Sequence, residues 1–557
     1  MLKSGAHVGR HIPECAACRA GTRGGAAPPA PPPRRCLTRS RPAHSANLGR
    51  HSVLLNRHVS QRPSSRAHSR QADRAPAHAQ LATAGEDTIV AVVTSSSAGS
   101  VTILRISGSR SVDVARQLFR PPGAEGDPPG PAPAWDGPRS HRVHYGSLAS
   151  PRDASVVDEI LLLYMAAPRS YTREDVVELH CHGGPVTAQR ALQACLHAGC
   201  RLARNGEFTL RAFLNGRLDL TQAESVAQLL GARTVAAADS ALAGLGGGLG
   251  GEISRLRRTA LQLVAELDAR LDFDEDLPEL DEADFVAQLR ALQERVGEAL
   301  KTAQYGQLLQ SGLQVAIVGR PNVGKSSLLN LWTGTDKAIV TDIAGTTRDI
   351  VDADMVVAGV PVRLLDTAGM RDTTDVVESI GVERSRKAAQ EADVVVVVVD
   401  AAVGVTPEDR EIMEPLWGAR GPPVILACNK VDLTQGFEAA SLPAEVRERV
   451  REVVLTSAAM GEGVAVLDAA MARLIGAPGA QGVGQGVGWA VNQRQAEALT
   501  RASEATGRCL EAVAQGLPQD FWTVDLRDAV TALGEVTGDE VAEEVLDDIF
   551  SRFCIGK

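Results

Sequence analysis

The stretch from Leu313 to Thr333, LQVAIVGRPNVGKSSLLNLWT, limits the possible folds more than any other part of the chain. Val315 to Val318 reads as a buried strand. It leads into Gly319-Arg-Pro-Asn-Val-Gly-Lys325-Ser326, and helical spacing follows from Ser327 to Trp332. This is G-x-x-x-x-G-K-[ST] between a strand and a helix, the setting of a phosphate-binding loop. Glycines let the backbone turn tightly, so that successive N–H groups face phosphate oxygens beside a helix N-terminus. Asn322, Val323, Gly324, Lys325, Ser326 and Ser327 are the expected phosphate contacts. Lys325 would neutralise the β- and γ-phosphates, and Ser326 would offer its hydroxyl to Mg²⁺.

Four further blocks follow in an order that narrows the ligand. Thr341-Asp-Ile-Ala-Gly-Thr346-Thr347-Arg348-Asp349 is a loop in which a threonine closes over the γ-phosphate and binds Mg²⁺, a switch segment. VRLLDTAG (Val362 to Gly369) is a strand ending in D-x-x-G. There Asp366 would hold Mg²⁺ through water, Thr367 and Ala368 would line the phosphate, and the Gly369 N–H would sense its γ-group. Val424 to Cys428 leads into Asn429-Lys430-Val-Asp432. The Asp432 carboxylate accepts both N–H donors of guanine's Watson–Crick edge; adenine lacks that pair and would leave a costly unmet acceptor. Thr456-Ser457-Ala458-Ala459, after another strand, fits the loop that reads guanine O6. Five blocks at strand ends of an α/β pattern predict GTP binding.

Where Ras-like enzymes place a water-orienting Gln after D-x-x-G, this chain has Met370. Another group must align the water, and Glu378 in RDTTDVVES is the candidate. No arginine finger is evident in cis. Two readings of Asn322 stand: it holds a cation that replaces the finger's charge, or the chain is a slow GTPase awaiting an outside activator.

Residues 1 to 80 carry 13 Arg and Lys3 against Glu14 and Asp73, about +12, whereas the whole chain is −10, leaving about −22 for the remainder. An acid-poor leader rich in Arg, Ser, Ala and Pro predicts an organellar transit peptide over 1–82, chloroplast or mitochondrial, removed to leave a chain starting near Glu86. The acidic remainder means that any contact with nucleic acid is local or shared with a partner. Aromatics at 3% argue against stacking platforms for single-stranded nucleic acid. No apolar run approaches the roughly eighteen residues of a membrane span. Of nine cysteines, Cys15 and Cys18 make a C-x-x-C without a second pair, so a reducing compartment is the default.

DTIVAVVTSS, SVTILRISG, DEILLLYMAAP and EDVVELHCHGG read as strands, and Pro185 to Ala198 as a helix. Helical spacing dominates from Asp219 to Gln310, then again from Gln493 to Gly516 and Asp525 to Phe553. The expected fold class is α/β plus all-α and multidomain, with the phosphate-loop domain inserted in a discontinuous helical bundle. The expected segments are an N-terminal α+β domain over 86–215, a first stretch of the helical domain over 216–311, a G domain over 312–476, a Gly-rich linker over 477–488, and a second stretch of the helical domain over 489–557.

With its tail in view, the chain resembles the MnmE/TrmE family of tRNA-modification GTPases over residues 86 to 557. The resemblance rests on ILRISG (Ile103 to Gly108), SYTREDVVELHCHGG (Ser170 to Gly184), GEFTLRAFLNGRLDLTQAE (Gly206 to Glu224), the GTPase blocks, and Phe553-Cys554-Ile-Gly-Lys557. It implies a tetrahydrofolate-binding-like N-terminal domain that forms a homodimer, and a Ras-like G domain that pairs in K⁺. Asn322, Thr341, Ile343 and Thr346 would surround the K⁺ ion, with Ser326 and Thr347 on Mg²⁺ and Glu378 as catalytic residue. Arg105, Glu178, Arg217 and Lys557 would contact a 5-formyl-tetrahydrofolate-type one-carbon donor, with Cys554 near it for possible chemistry. The family acts with a FAD-containing GidA/MnmG-type partner to place an aminomethyl-type group on C5 of the wobble uridine in tRNA. The chain departs from the family at Thr94 to Val101, where a Gly/Pro-rich stretch is usual.

Plainer readings stand beside these. His180 and His182 share a strand face without a third zinc ligand in view, Cys554 can be packing, Arg105 an edge ion pair, and the acidic 272–284 run a solvated loop. The competing function is a ribosome-assembly GTPase of the Era/Der type that binds rRNA. That class shares the GTPase blocks but carries a second GTPase domain or a KH module, and this sequence shows neither. A third reading makes the acidic body a partner-docking scaffold.

Overall fold

Three sets of packed elements account for the described residues, and each begins from a different sequence period. In the first, alternation rules. Strand β2 (Val101–Ser107) buries Thr102, Leu104 and Ile106, while β6 (Val176–His182) buries Val177, Leu179 and Cys181. With β1 (Ile89–Val92), β3 (Phe119–Arg120), β4 (Val143–Ala149), β5 (Val156–Met165) and β7 (Arg201–Leu202) they form a seven-stranded sheet in the order β3-β4-β5-β6-β2-β1-β7. Helices α1 (Ser111–Leu118) and α2 (Pro185–His197) cover one face through Val114, Leu118, Ala191 and Cys195. The alternate residues, Arg105 and Glu178 among them, therefore stand on the other face, where Val101, Val143, Tyr145 and Leu161 are exposed.

The computed structural model describes residues 87–94, 99–122, 137–273, 278–334, 354–365, 389–418, 421–477 and 488–557. These all fall in one compact unit, Asp73–Lys557. The leader over 1–82, most of the altered loop after Thr94, and the segments carrying Thr341, Ile343, Thr346, Thr347, Asp366, Thr367, Ala368, Gly369, Met370 and Glu378 lie outside the described residues.

The second set is helical: α3 (Glu207–Leu214), α4 (Leu220–Gly231), α5 (Val235–Leu245), α6 (Gly248–Asp272), α7 (Glu282–Leu300) and α8 (Ala303–Ser311). These helices precede the phosphate loop. Far beyond it in sequence follow α13 (Gln493–Ala514), α14 (Gln519–Thr537) and α15 (Glu543–Ser551). Leu256 and Leu263 of α6, Leu289 of α7, Leu499 of α13 and Leu533 of α14 share one core, so chain from both sides of the loop builds it. Truncating any of them would cost about 2–5 kcal/mol. Arg494 adds a polar tie, donating from Nε to Glu224 Oε1 at 2.6 Å, while Gln495 donates to the other oxygen at 2.6 Å. No helix of the described residues is long and apolar enough to cross a membrane.

The third set is the phosphate-loop unit: β8 (Leu313–Val318), α9 (Lys325–Gly334), β9 (Asp354–Val357), β10 (Val360–Leu365), β11 (Val394–Asp400), α10 (Pro407–Met413), β12 (Val424–Asn429), α11 (Ala444–Arg449), β13 (Glu452–Leu455) and α12 (Val464–Leu474). Its sheet order is β13-β12-β11-β8-β10-β9, parallel except for the β9–β10 pair. Continuous valine runs such as Val394 to Val399 suit strands covered on both faces. The chain leaves central β8 first to one side and then to the other, so the crevice at its carboxyl end is the switch point where ligands bind.

Two local readings need correction, and one strand went unread. Helix α9 begins at Lys325 rather than Ser327, because the turn closes at Gly324. The stretch from Asp525 to Phe553 is two helices, α14 starting earlier at Gln519 and ending at Gly538 in a left-handed cap with φ 93°. Strand β4 is not apparent from the sequence, since its histidine and arginine neighbours mask the alternation.

Candidate functional site

Strand β8 delivers the phosphate loop, and side chains from the end of β12, the turn after it and helix α10 hold it. Asn429, buried at the end of β12, donates from Nδ2 to the Val323 carbonyl at 2.9 Å. Lys430 donates from Nζ to the Asn322 carbonyl at 2.7 Å and to Asp400 at 2.7 Å. Arg320 donates from Nε to Asp409 Oδ1 at 2.8 Å, and Asp409 is itself fully buried in the capping box of α10. Asn322 sits at φ 64°, a left-handed conformation that asparagine tolerates better than most residues. Gly324, at φ 95°, approaches the Asn429 amide so closely that a Cβ would collide with it. Lys325 donates to the carbonyls of Gly319 and Arg320 at 2.8 and 2.7 Å, and burial pulls its pKa below the usual lysine value.

The residues expected from the sequence to read the base meet at the same crevice. Asn429 Oδ1 accepts from the Ala458 N–H at 3.0 Å, and the buried Ser457 hydroxyl donates to Asp432. Asp432 itself is exposed, its carboxylate oriented by that one hydroxyl. Ala459 follows in the same loop. Asn322, Val323, Gly324, Lys325, Ser326, Ser327, Asn429, Lys430, Asp432, Ser457 and Ala458 are thus gathered at the carboxyl ends of β8 and β12. Tight backbone N–H groups, a lysine and the Ser326 hydroxyl at a helix N-terminus make a donor set that fits a nucleotide phosphate with Mg²⁺.

A second cluster forms on the open face of the first sheet. Arg105 and Glu178 are direct cross-strand partners, and Arg105 Nε donates to Glu178 Oε1 at 2.9 Å. The Arg105 guanidinium lies 5.4 Å from the Tyr171 ring centroid and 5.7 Å from that of Phe208. Arg217 stacks on Tyr171 at 4.7 Å. Lys557 arrives from the end of the chain: Ile555 bridges to Asn205, and Gly206 N–H bonds the Cys554 carbonyl at 3.4 Å. Burial first, and then the charge of Arg105, lower the Lys557 pKa, with Glu178 and Cys554 opposing. Arg105, Glu178, Arg217, Cys554 and Lys557 therefore surround one place, although they span the sequence. His180 and His182 each have a carboxylate partner, Glu178 at 3.4 Å and Asp158 at 2.8 Å.

Sequence reasoning missed what supports this cluster. Tyr171 and Phe208 form its aromatic floor. Nearby, Arg211 is 1% exposed among Asp87, Glu174 and Glu207 at 2.6, 3.2 and 3.0 Å. Only the Glu207–Arg211 spacing, one helical turn, offered a local signal.

The fold and the first site define a multidomain GTPase of the phosphate-loop class. A family model for the GTP-binding protein TrmE N-terminus matches residues 88–217, and one for the MnmE helical domain matches residues 220–554. The tRNA modification GTPase MnmE of Picosynechococcus sp. is 52% identical over 474 residues, covering 85% of this chain and 99% of that protein. Its namesake from Nostoc sp. is 51% identical over 459 residues, covering 82% and 96%. Among solved structures, Era in complex with MgGDPNP and a 16S ribosomal RNA segment is 29% identical over 35% of this chain and 66% of that chain, with a TM-score of 0.24. The chain belongs to the MnmE family of tRNA modification GTPases, and it is a GTP hydrolase.

Proposed function

We propose that this GTPase drives C5 modification of the wobble uridine of tRNA, aminomethyl or carboxymethylaminomethyl in type, inside an organelle after loss of its leader. The observation that carries the reading is the convergence of Arg105, Glu178, Arg217, Cys554 and Lys557 on one sheet face, distinct from the nucleotide crevice. A GTPase that served only as a switch needs no such second cluster. Its chemistry suits a 5-formyl-tetrahydrofolate-type donor: Glu178 supplies an acceptor for ring N–H groups, and three cations meet carboxylates. Aromatic Tyr171 and Phe208 offer flat apolar surface beside them.

At the nucleotide site, Lys325 and the loop N–H groups stabilise charge on the transferring phosphoryl, Ser326 and Thr347 hold Mg²⁺, and Glu378 aligns the attacking water. Asn322, with Thr341, Ile343 and Thr346, is assigned to K⁺, whose charge would offset that developing on the phosphates. The exposed apolar row of Val101, Val143, Tyr145 and Leu161 supports a homodimer formed through the first sheet. The FAD-containing GidA/MnmG-type subunit is the proposed partner.

The test combines the mature chain with such a partner, tRNA, GTP and a 5-formyl-tetrahydrofolate-derived donor, and reads modified nucleosides by mass spectrometry. Parallel hydrolysis assays compare K⁺ with Na⁺ at equal ionic strength and include Glu378→Ala. The expected outcome is modification that needs GTP and is lost in Arg105→Ala, with K⁺-stimulated hydrolysis that collapses in Glu378→Ala. Full modification by Arg105→Ala would sink the one-carbon assignment, and equal rates in both salts would sink the role of Asn322.

A further inference from the structure

Two side chains of the helical unit reach a turn of the nucleotide unit. Thr234, the cap residue of α5, donates from Oγ1 to the Gly359 carbonyl at 2.7 Å. Tyr305 of α8 donates from its hydroxyl to the Ala358 carbonyl at 3.2 Å. Ala358 and Gly359 are the tip of the β9–β10 hairpin, held at φ 51° and 83°. A Cβ on Gly359 would press on the Cβ of Ala236 at 2.5 Å, so the tip lies flush against α5. Burial raises the Tyr305 phenol above its ordinary pKa and keeps it a donor. Packing continues through the contact: Ala237 of α5 and Leu309 of α8 belong to the same buried cluster as Val357, Val360 and Val362 of the hairpin. The contact is core rather than a touch between surfaces.

The hairpin's place in the chain gives this contact its meaning. It follows the G-T-T-R-D block, which ends at Asp349, and runs into D-x-x-G at Asp366. Strand β10 lies directly beside β8, pairing Leu364 with Val315. In chain order, a two-stranded element thus runs between the two nucleotide-sensing blocks, and its tip meets the helical unit. Behind the contact, α4, α5, α8 and Ala490 line an open pocket of about 240 Å³, with Gly231, Ala237, Gly306 and Leu309 on its wall. The tip itself is close-packed, so a displacement of the hairpin is passed to α5 and α8, which have the open pocket on their far side.

We propose that Thr234 and Tyr305 are positioning residues for GTP hydrolysis: they bind the β9–β10 tip to the helical unit, so that nucleotide state and the packing of α5 and α8 form a single equilibrium. This goes beyond the proposed tRNA chemistry and does not depend on it. Thr234 also caps α5 by accepting from the Ala237 N–H at 3.1 Å, so Thr234→Ser, which keeps both bonds, is the conservative control. Tyr305→Phe removes one hydroxyl and no ring packing.

The experiment measures amide hydrogen exchange of α5, with GDP and with a non-hydrolysable GTP analogue, in the full chain and in Thr234→Val/Tyr305→Phe. Steady-state GTP hydrolysis is measured on the same proteins. In the wild type, α5 exchange differs between the two nucleotides. In the double variant the difference vanishes and kcat falls about ten-fold, the scale of two lost hydrogen bonds, while KM for GTP stays within about two-fold because no nucleotide contact is touched. Thr234→Ser with Tyr305 intact behaves as wild type. A double variant that keeps the wild-type difference overturns the proposal. So does a wild type in which α5 exchange ignores the nucleotide, or a KM that rises as far as kcat falls.

Discussion

Asn429 donates from its side-chain amide to the Val323 carbonyl at 2.9 Å, so the Asn429-Lys430-Val-Asp432 block is tied directly to the glycine-rich loop after β8. The other end of the amide accepts from the Ala458 N–H at 3.0 Å, which ties in the loop after β13. Asn429→Ala strands the Val323 carbonyl and the Ala458 N–H, at about 1–3 kcal/mol each if they stay dry. Affinity for GTP and GDP should fall together, by roughly ten- to a hundred-fold. Titration with a fluorescent GDP and a fluorescent GTP analogue checks this. Unchanged GDP binding would show that the bond is incidental.

The buried Arg211 sets an acid limit on the first domain. Desolvation opposes the Asp87 and Glu207 carboxylates, but hydrogen bonds and charge from Arg201 and Arg211 outweigh it, and both pKa values lie below their ordinary 3.8 and 4.5. For groups lowered on folding, the stabilisation is complete above the unfolded values and is lost as pH falls through the folded ones. Thermal stability should therefore hold to about pH 4.5 and drop below it. Arg211→Met, which leaves three carboxylates without their central cation, should cost about 3–5 kcal/mol at pH 7. The gap to wild type should narrow as the pH is lowered toward 3.5 or so, where the carboxylates protonate. A gap that stays constant with pH would mean that Arg211 acts through packing alone.

What could be read from the sequence depended on how far apart the cooperating residues lie. The phosphate loop is contiguous, so its glycines, lysine and flanking strand and helix were legible without a fold. Strands β2 and β6 showed their alternation, but nothing local says that Arg105 opposes Glu178; that is a matter of register between strands 73 residues apart. The same holds for Lys557, whose approach depends on a bridge from Ile555 back to Asn205. Only resemblance to a family put those residues together beforehand. The break at Gly538 was hidden because helical i, i+4 apolar spacing is taken up again soon after it, at Leu546 and Phe550. The Arg211 cluster draws on residues from 87 to 211, and no periodic pattern reports such a set.

Gly556 explains why the tail needs its glycine. Its φ is 98°, and a Cβ there would lie 2.9 Å from the Val92 carbonyl oxygen. Gly556→Ala should lift the last residues off β1 at a cost of about 1–3 kcal/mol in strain. Lys557 would then leave Arg105 and Glu178, while the small cluster that Phe550 and Phe553 form with Leu220, Ala223 and Leu546 stays intact. Carboxypeptidase digestion followed by intact mass should show faster loss of Lys557 with an unchanged melting temperature for the main transition. Equal digestion rates would mean that the tail is not held by this approach.

Asp432 tests base recognition directly. Its carboxylate offers two acceptors, which match the N1–H and 2-amino donors of guanine, and the Ser457 hydroxyl keeps it oriented. Xanthine carries an oxygen where guanine carries the 2-amino group. Asp432→Asn replaces one acceptor by a donor, so the pairing should invert: GTP loses a charge-assisted pair while XTP gains an amide match. A site built for a hydrogen bond discriminates strongly against the analogue that lacks it. The variant should bind GTP at least about a hundred-fold more weakly and hydrolyse XTP at a rate approaching that of wild type on GTP. Competition of GTP and XTP against a fluorescent GDP, followed by phosphate-release assays with each, gives both numbers. A variant that still prefers GTP would place base recognition elsewhere than on Asp432.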